Sequence, residues 1–195
     1  KSDSALDHPD LQFIFTPASY KEGVPTQLDD FPGMTVASWP MRPRSTGYVR
    51  ARTADMAVKP AIQPNYLADE EDRRILLAGI RLMRGFMRTP ELAPWFDHEV
   101  LPGESVQGDD ELLDFARHYG TTMFHLMGTC RMGPAGRGSV VDDELRVHGL
   151  AGLRVVDASI MPAMPSANTN ASTIMIAEKA ADMILGRPPL PAAQV

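Results

Sequence analysis

The sequence predicts an α+β protein: an antiparallel-sheet lobe with helices, followed by a strand–loop–helix segment that would complete a separate α/β domain. Three observations carry this. Short alternating apolar runs, broken by prolines, fill the first third of the chain. One long amphipathic helical pattern follows, and a strand ending in Asp, a loop of small residues and a helix come last. Seventeen prolines and fifteen glycines in 195 residues favour many turns over a helical bundle.

The elements follow in order. Leu11 to Phe15 alternates around Phe and Ile and stops at Pro17, and Met34 to Trp39 is a second strand ended by Pro40. Gly47 to Arg52 alternates as a half-exposed strand does, with Arg50 and Arg52 on one solvated face. Together they suit an antiparallel sheet with one wet face. Asp69 to Arg88 is the clearest helix. Four acidic residues crowd its first turn and Arg81, Arg84 and Arg88 lie toward its end, matching the helix dipole. Leu76, Ile80, Met83 and Met87 form its apolar stripe. Residues 89–108, with three prolines, read as an irregular connection, and Asp109 to Tyr119 as a shorter helix closed by Gly120. Leu153 to Asp157 reads as a short buried strand, 158–169 as a loop, and Ala171 to Leu185 as a helix stopped by Gly186 and Pro188.

A boundary is expected near residue 125, dividing a lobe of residues 1–124 from a segment of residues 125–195. One strand and one helix cannot bury both faces of a sheet, so the second segment needs a partner encoded upstream. Lys1-Ser2-Asp3-Ser4 has no initiator Met and no apolar signal core behind it, and reads as an internal cut in a longer chain. The tail from Arg187 to Val195 is Pro- and Ala-rich and is expected to fray.

Composition excludes several classes. The net charge is −6 and the basic residues are scattered, which gives no footprint for nucleic acid. A single cysteine, Cys130, rules out a disulfide framework and suits a reducing compartment. The expected location is cytoplasmic, in solution or associated with a membrane. No apolar run approaches the roughly 20 residues of a membrane-spanning helix. His8, His98, His118 and His148 are scattered, with no pair at metal-ligand spacing, so no metal site is expected.

Two stretches could carry chemistry. In Phe124-His125-Leu126-Met127-Gly128-Thr129-Cys130-Arg131-Met132-Gly133, glycines would let the backbone pack closely on a ligand beside a histidine. A lone histidine is more often structural than catalytic. Asn168-Thr169-Asn170-Ala171-Ser172-Thr173 opens the last helix. Its plain reading is that an Asn caps that helix, and the same helix start favours negative charge.

These stretches resemble the glucose–methanol–choline oxidoreductases. Residues 125–133 are similar to that family's HPVGTCRMG segment, and Gly152 to Pro162 and the NTNA stretch running on to Asp182 follow in the family's order. Upstream, Arg42 to Arg50 and Pro64-Asn65-Tyr66-Leu67 are similar to the entry into its substrate domain. The resemblance implies FAD as cofactor and His125 as the base that takes the hydroxyl proton of an alcohol while hydride leaves its carbon. It implies a second active-site residue at Asn170, preferred to Asn168 for its spacing to Asp182. Asp157, Ala158 and Ala171 are the implied cofactor contacts. A primary alcohol, choline-like or aliphatic, is the implied substrate, and oxygen or a quinone the electron acceptor. Leu126 and Met127 depart from the family's Pro-Val. No G-x-G-x-x-G follows a strand, so the main FAD motif is expected in an upstream FAD-binding domain. The competing reading is a non-catalytic module that binds a small molecule or a protein.

Overall fold

Two strands rich in β-branched and aromatic residues, Leu11–Thr16 (β1) and Thr35–Pro40 (β2), pair antiparallel from Leu11 opposite Pro40 to Thr16 opposite Thr35. The computed structural model describes residues 1–21, 26–136, 138–188 and 191. Of the tail expected to fray, residues 189–190 and 192–195 therefore lie outside the described residues.

Backbone packing divides the chain into two units. The first comprises residues 1–47 and 64–122. Here helix α1, Glu70–Met87, lies against β2, with the rings of Phe13 and Phe86 meeting edge to face. Asp69, expected inside the first turn, instead caps α1 by accepting the Glu71 N–H. The buried residues on α1 include Ile75, Leu77, Ile80 and Met87, while Leu76 and Met83 of the expected stripe are only partly buried. Helix α2, Asp109–Tyr119, adds Leu112 and Leu113 to that core, with Leu112 fully excluded from solvent. The irregular connection between the helices is tied to α1 by a two-pronged pair: Arg84 Nε to Glu99 Oε2 at 2.9 Å and Nη2 to Oε1 at 2.8 Å.

Helix and sheet meet closely at Gly79, where an added Cβ would lie 2.5 Å from Ser38 Oγ and 3.1 Å from a Leu11 methyl. Helix propensity alone would favour alanine there, but overpacking a tight contact costs about 1–3 kcal/mol. Gly79→Ala is therefore expected to lower the thermal midpoint. An unchanged or higher midpoint in a melting experiment would show that the contact gives way freely.

Asp72, in the first turn of α1, is only 2% exposed. Its two carboxylate oxygens accept the backbone N–H groups of Arg44 and Ser45, each at 2.8 Å. The sequence reading assigned it to the helix dipole. In the structure it also clamps the Arg42–Gly47 segment to the helix.

The second unit comprises residues 48–63 and 123–195. Tyr48–Arg50 (β3) and Ala61–Gln63 (β4) form an antiparallel hairpin, with the Arg50 guanidinium 4.6 Å from the centre of the Tyr48 ring. The expected single sheet is thus two two-stranded sheets. β3 pairs with β4, a three-residue strand between Pro60 and Pro64 that is too short to show a period in sequence.

A second correction concerns Leu153 to Asp157. These residues form no strand: Arg154 makes an isolated bridge with Arg146, flanked by bonds from Val147 N to Leu153 O and from Val155 N to Leu145 O. A turn built on Asp142, whose Oδ1 accepts the N–H groups of Glu144 and Arg146, leaves Leu145 at φ 64° and limits the pairing to this short stretch. The core of the unit is Val141, Leu145, Ile160, Met161, Ile176 and Ala180. Ile176 and Ala180 lie on helix α3, Asn170–Leu185, which packs on a single 3₁₀ turn at Ala158–Ile160. Among the described residues no helix is long and apolar enough to cross a membrane.

Candidate active site

The glycine loop is held in place by backbone bonds rather than by regular structure. Cys130 N donates to Ser159 O at 2.9 Å and Met132 N to Ile160 O at 2.8 Å, which ties the loop's second half to the 158–160 turn. Gly128 makes the bend between His125 and that tie. Its φ of 83° suits glycine, and a Cβ there would stand 3.4 Å from the Met161 carbonyl. Ahead of the bend, Phe124 sits at φ 59°, a rare conformation for a bulky residue, with 81% of its surface exposed.

His125 meets the start of α3. Its Nε2 lies 2.8 Å from the side-chain amide nitrogen of Asn168, and its Nδ1 lies 3.2 Å from Thr169 Oγ1. Asn168 is exposed, whereas Thr169 is 8% exposed. The amide nitrogen is a donor, so the hydrogen-bond pattern assigns the Nε2 lone pair as its acceptor. In that orientation of the amide, the matching tautomer carries the ring proton on Nδ1, toward Thr169 Oγ1.

Asn170, the sequence choice, begins α3 with an exposed side chain. It is Asn168 that the fold brings to His125. The cap expected of an Asn falls to a different residue. Thr169 holds the N-cap position with helical backbone angles, φ −75° and ψ −10°, and its side chain makes no cap hydrogen bond. Its hydroxyl is directed to His125 instead of to the first-turn N–H groups.

Asp157 and Ala158 stand at the 158–160 turn, where the Asp157 carboxylate accepts the Ser159 N–H at 2.8 Å. Asp157 is exposed and Ala158 is half-buried against the core of the unit. Ala171 lies exposed in the first turn of α3. A helix start bearing a small exposed residue suits an electron-rich, planar group, because first-turn N–H groups and the helix dipole favour developing negative charge. Thr169 was missed in sequence because an N-cap threonine ordinarily needs no other explanation. Among the described residues no group of three or more His, Cys, Asp or Glu side chains could hold a metal ion.

The comparisons agree with one another. A family model described as GMC oxidoreductase matches residues 43–177. An alcohol dehydrogenase (acceptor) of Pseudomonas putida is 43% identical over 187 residues, covering 95% of this chain and 33% of its own length. The mitochondrial choline dehydrogenase of Homo sapiens is 43% identical over 193 residues, covering 97% of this chain and 32% of its own. The crystal structure of pyridoxine 4-oxidase from Mesorbium loti superposes with a TM-score of 0.81 at 29% identity, covering 97% of this chain and 37% of that one. The chain thus spans about a third of the length of the curated relatives it matches.

Proposed function

The chain belongs to the GMC oxidoreductase family, and on that premise we propose that it carries the proton-handling half of an FAD-dependent oxidation of a primary alcohol to an aldehyde. The observation that carries this reading is the approach of the Asn168 amide nitrogen to within 2.8 Å of His125 Nε2, a contact in which Nε2 offers its lone pair. An alcohol hydroxyl that takes the amide's place donates its proton to Nε2. The displaced Asn168 amide then donates to the alcohol oxygen as negative charge develops there. His125 and Asn168, rather than His125 and Asn170, form the working pair.

FAD, when bound, accepts the hydride that leaves the alcohol carbon. Asp157, Ala158 and Ala171 would border it, and the remaining cofactor contacts would come from an upstream FAD-binding domain. The α3 N-terminus supplies positive potential beside that border. Phe124, exposed next to His125, offers an apolar wall for the carbon chain or for the quaternary ammonium of a choline-like substrate. The electron acceptor proposed for the whole enzyme is oxygen or a quinone.

The test is a visible absorption spectrum of the full-length protein that contains this chain, taken before and after anaerobic addition of a panel of alcohols including choline. The expected result is a flavin band that bleaches with at least one primary alcohol. A full-length protein without flavin, even after incubation with FAD, would sink the proposal.

A further inference from the structure

We propose that Thr169 is a positioning residue for the base: its buried hydroxyl holds the orientation of His125 and, together with the Asn168 amide, favours the tautomer that leaves a lone pair at Nε2. The inference rests on the reading of His125 as the base and deepens it.

Threonine at a helix N-cap ordinarily adopts extended backbone angles and turns its oxygen onto the first-turn N–H groups. Thr169 does neither. Its backbone is helical, no side-chain cap bond forms, and Oγ1 lies 3.2 Å from His125 Nδ1. With only 8% of its surface exposed, little water can compete for that contact. The residue forgoes its usual local role for a contact 44 positions away in sequence.

The chemistry makes the contact useful. A neutral imidazole has one donor and one acceptor nitrogen, and the partner of one sets the role of the other. With Thr169 Oγ1 accepting from Nδ1–H, the basic lone pair stands on Nε2, the nitrogen that Asn168 meets. When Nε2 takes a proton, Nδ1 keeps its own, so Oγ1 remains an acceptor and nothing on that side must rearrange. The bond then becomes charge-assisted, and such bonds are the stronger ones. Without the hydroxyl, the ring could turn, or could place its proton on Nε2 where it blocks the alcohol.

The experiment compares Thr169→Val, Thr169→Ala, Thr169→Ser and His125→Ala in the full-length flavoenzyme. Turnover, KM, flavin content and thermal midpoint are measured for each. Removing the hydroxyl is expected to lower kcat about 10- to 100-fold, the range for losing a hydrogen bond to a charged partner. KM should stay within about threefold, and Thr169→Ser should recover most of kcat. Thr169→Ala provides the hydroxyl-free comparison if valine's second methyl disturbs folding.

The proposal is overturned if both hydroxyl-free variants turn over like wild type, or if serine fails to rescue. It is also overturned if only KM changes, or if the midpoint falls while kcat holds, as loss of a helix cap would produce. His125→Ala separates the two readings. If it keeps turnover, the base assignment itself fails; if it loses turnover while Thr169→Val does not, only the positioning role fails.

Discussion

Replacing His125 with alanine in the full-length flavoenzyme is expected to lower kcat/KM for the best alcohol by about 10²- to 10⁴-fold, the usual contribution of a positioned general base. The geometry supports a loss of this size. Nδ1 is anchored by a buried hydroxyl at 3.2 Å, and Nε2 faces an exposed amide that a substrate can replace. A base held on one side and accessible on the other contributes both proton affinity and orientation. His125→Gln keeps hydrogen-bonding atoms near both positions but cannot take up a proton at neutral pH, so it should recover little of the rate. Stopped-flow reduction of the flavin under anaerobic conditions reads the step directly. Turnover within about threefold of wild type would remove His125 from the base role.

Asp72→Ala should produce the largest loss of stability. The Asp72 carboxylate is 2% exposed and satisfies two backbone N–H groups, those of Arg44 and Ser45. Its removal strands both donors and opens a small void in the packing beneath the Arg42–Gly47 segment. An unsatisfied buried donor costs about 1–3 kcal/mol, so the pair together should cost about 2–6 kcal/mol. Asp72→Asn retains one acceptor oxygen and should cost roughly half as much. Urea denaturation of the two variants beside wild type checks both the size and the order. Equal losses for Ala and Asn would mean that the charge, and not the pair of acceptors, matters here.

The helices were legible in sequence because what forms them is local. The acidic first turn of α1, its arginine-rich end and its apolar spacing all lie within Asp69 to Arg88, and the observed helix is Glu70–Met87. α2 matches its expected limits for the same reason. Where pairing decides the outcome, the reading fell short. β4 has three residues and no period of its own, and residues 153–157 lack a neighbouring strand long enough to extend a ladder. The site divides along the same line. His125 stands out through the glycines that follow it. Its partner could not be chosen by counting, because the spacing to Asp182 is measured along α3, while the bond to Asn168 is made before that helix begins. Thr169 gave no signal because its residue type already had a sufficient local role.

The β3–β4 hairpin has a consequence for the chain as it leaves the ribosome. Residues 48–63 belong with residues 123–195, while the chain between them builds the other unit. At about 5–20 residues per second, the hairpin is made roughly 3–12 s before the first residue of its later partner segment. A lone two-stranded hairpin is marginal in water, and this one displays Tyr48, Val49 and Ile62. Cutting the gene at the 122/123 junction would separate the hairpin from the unit in which it folds.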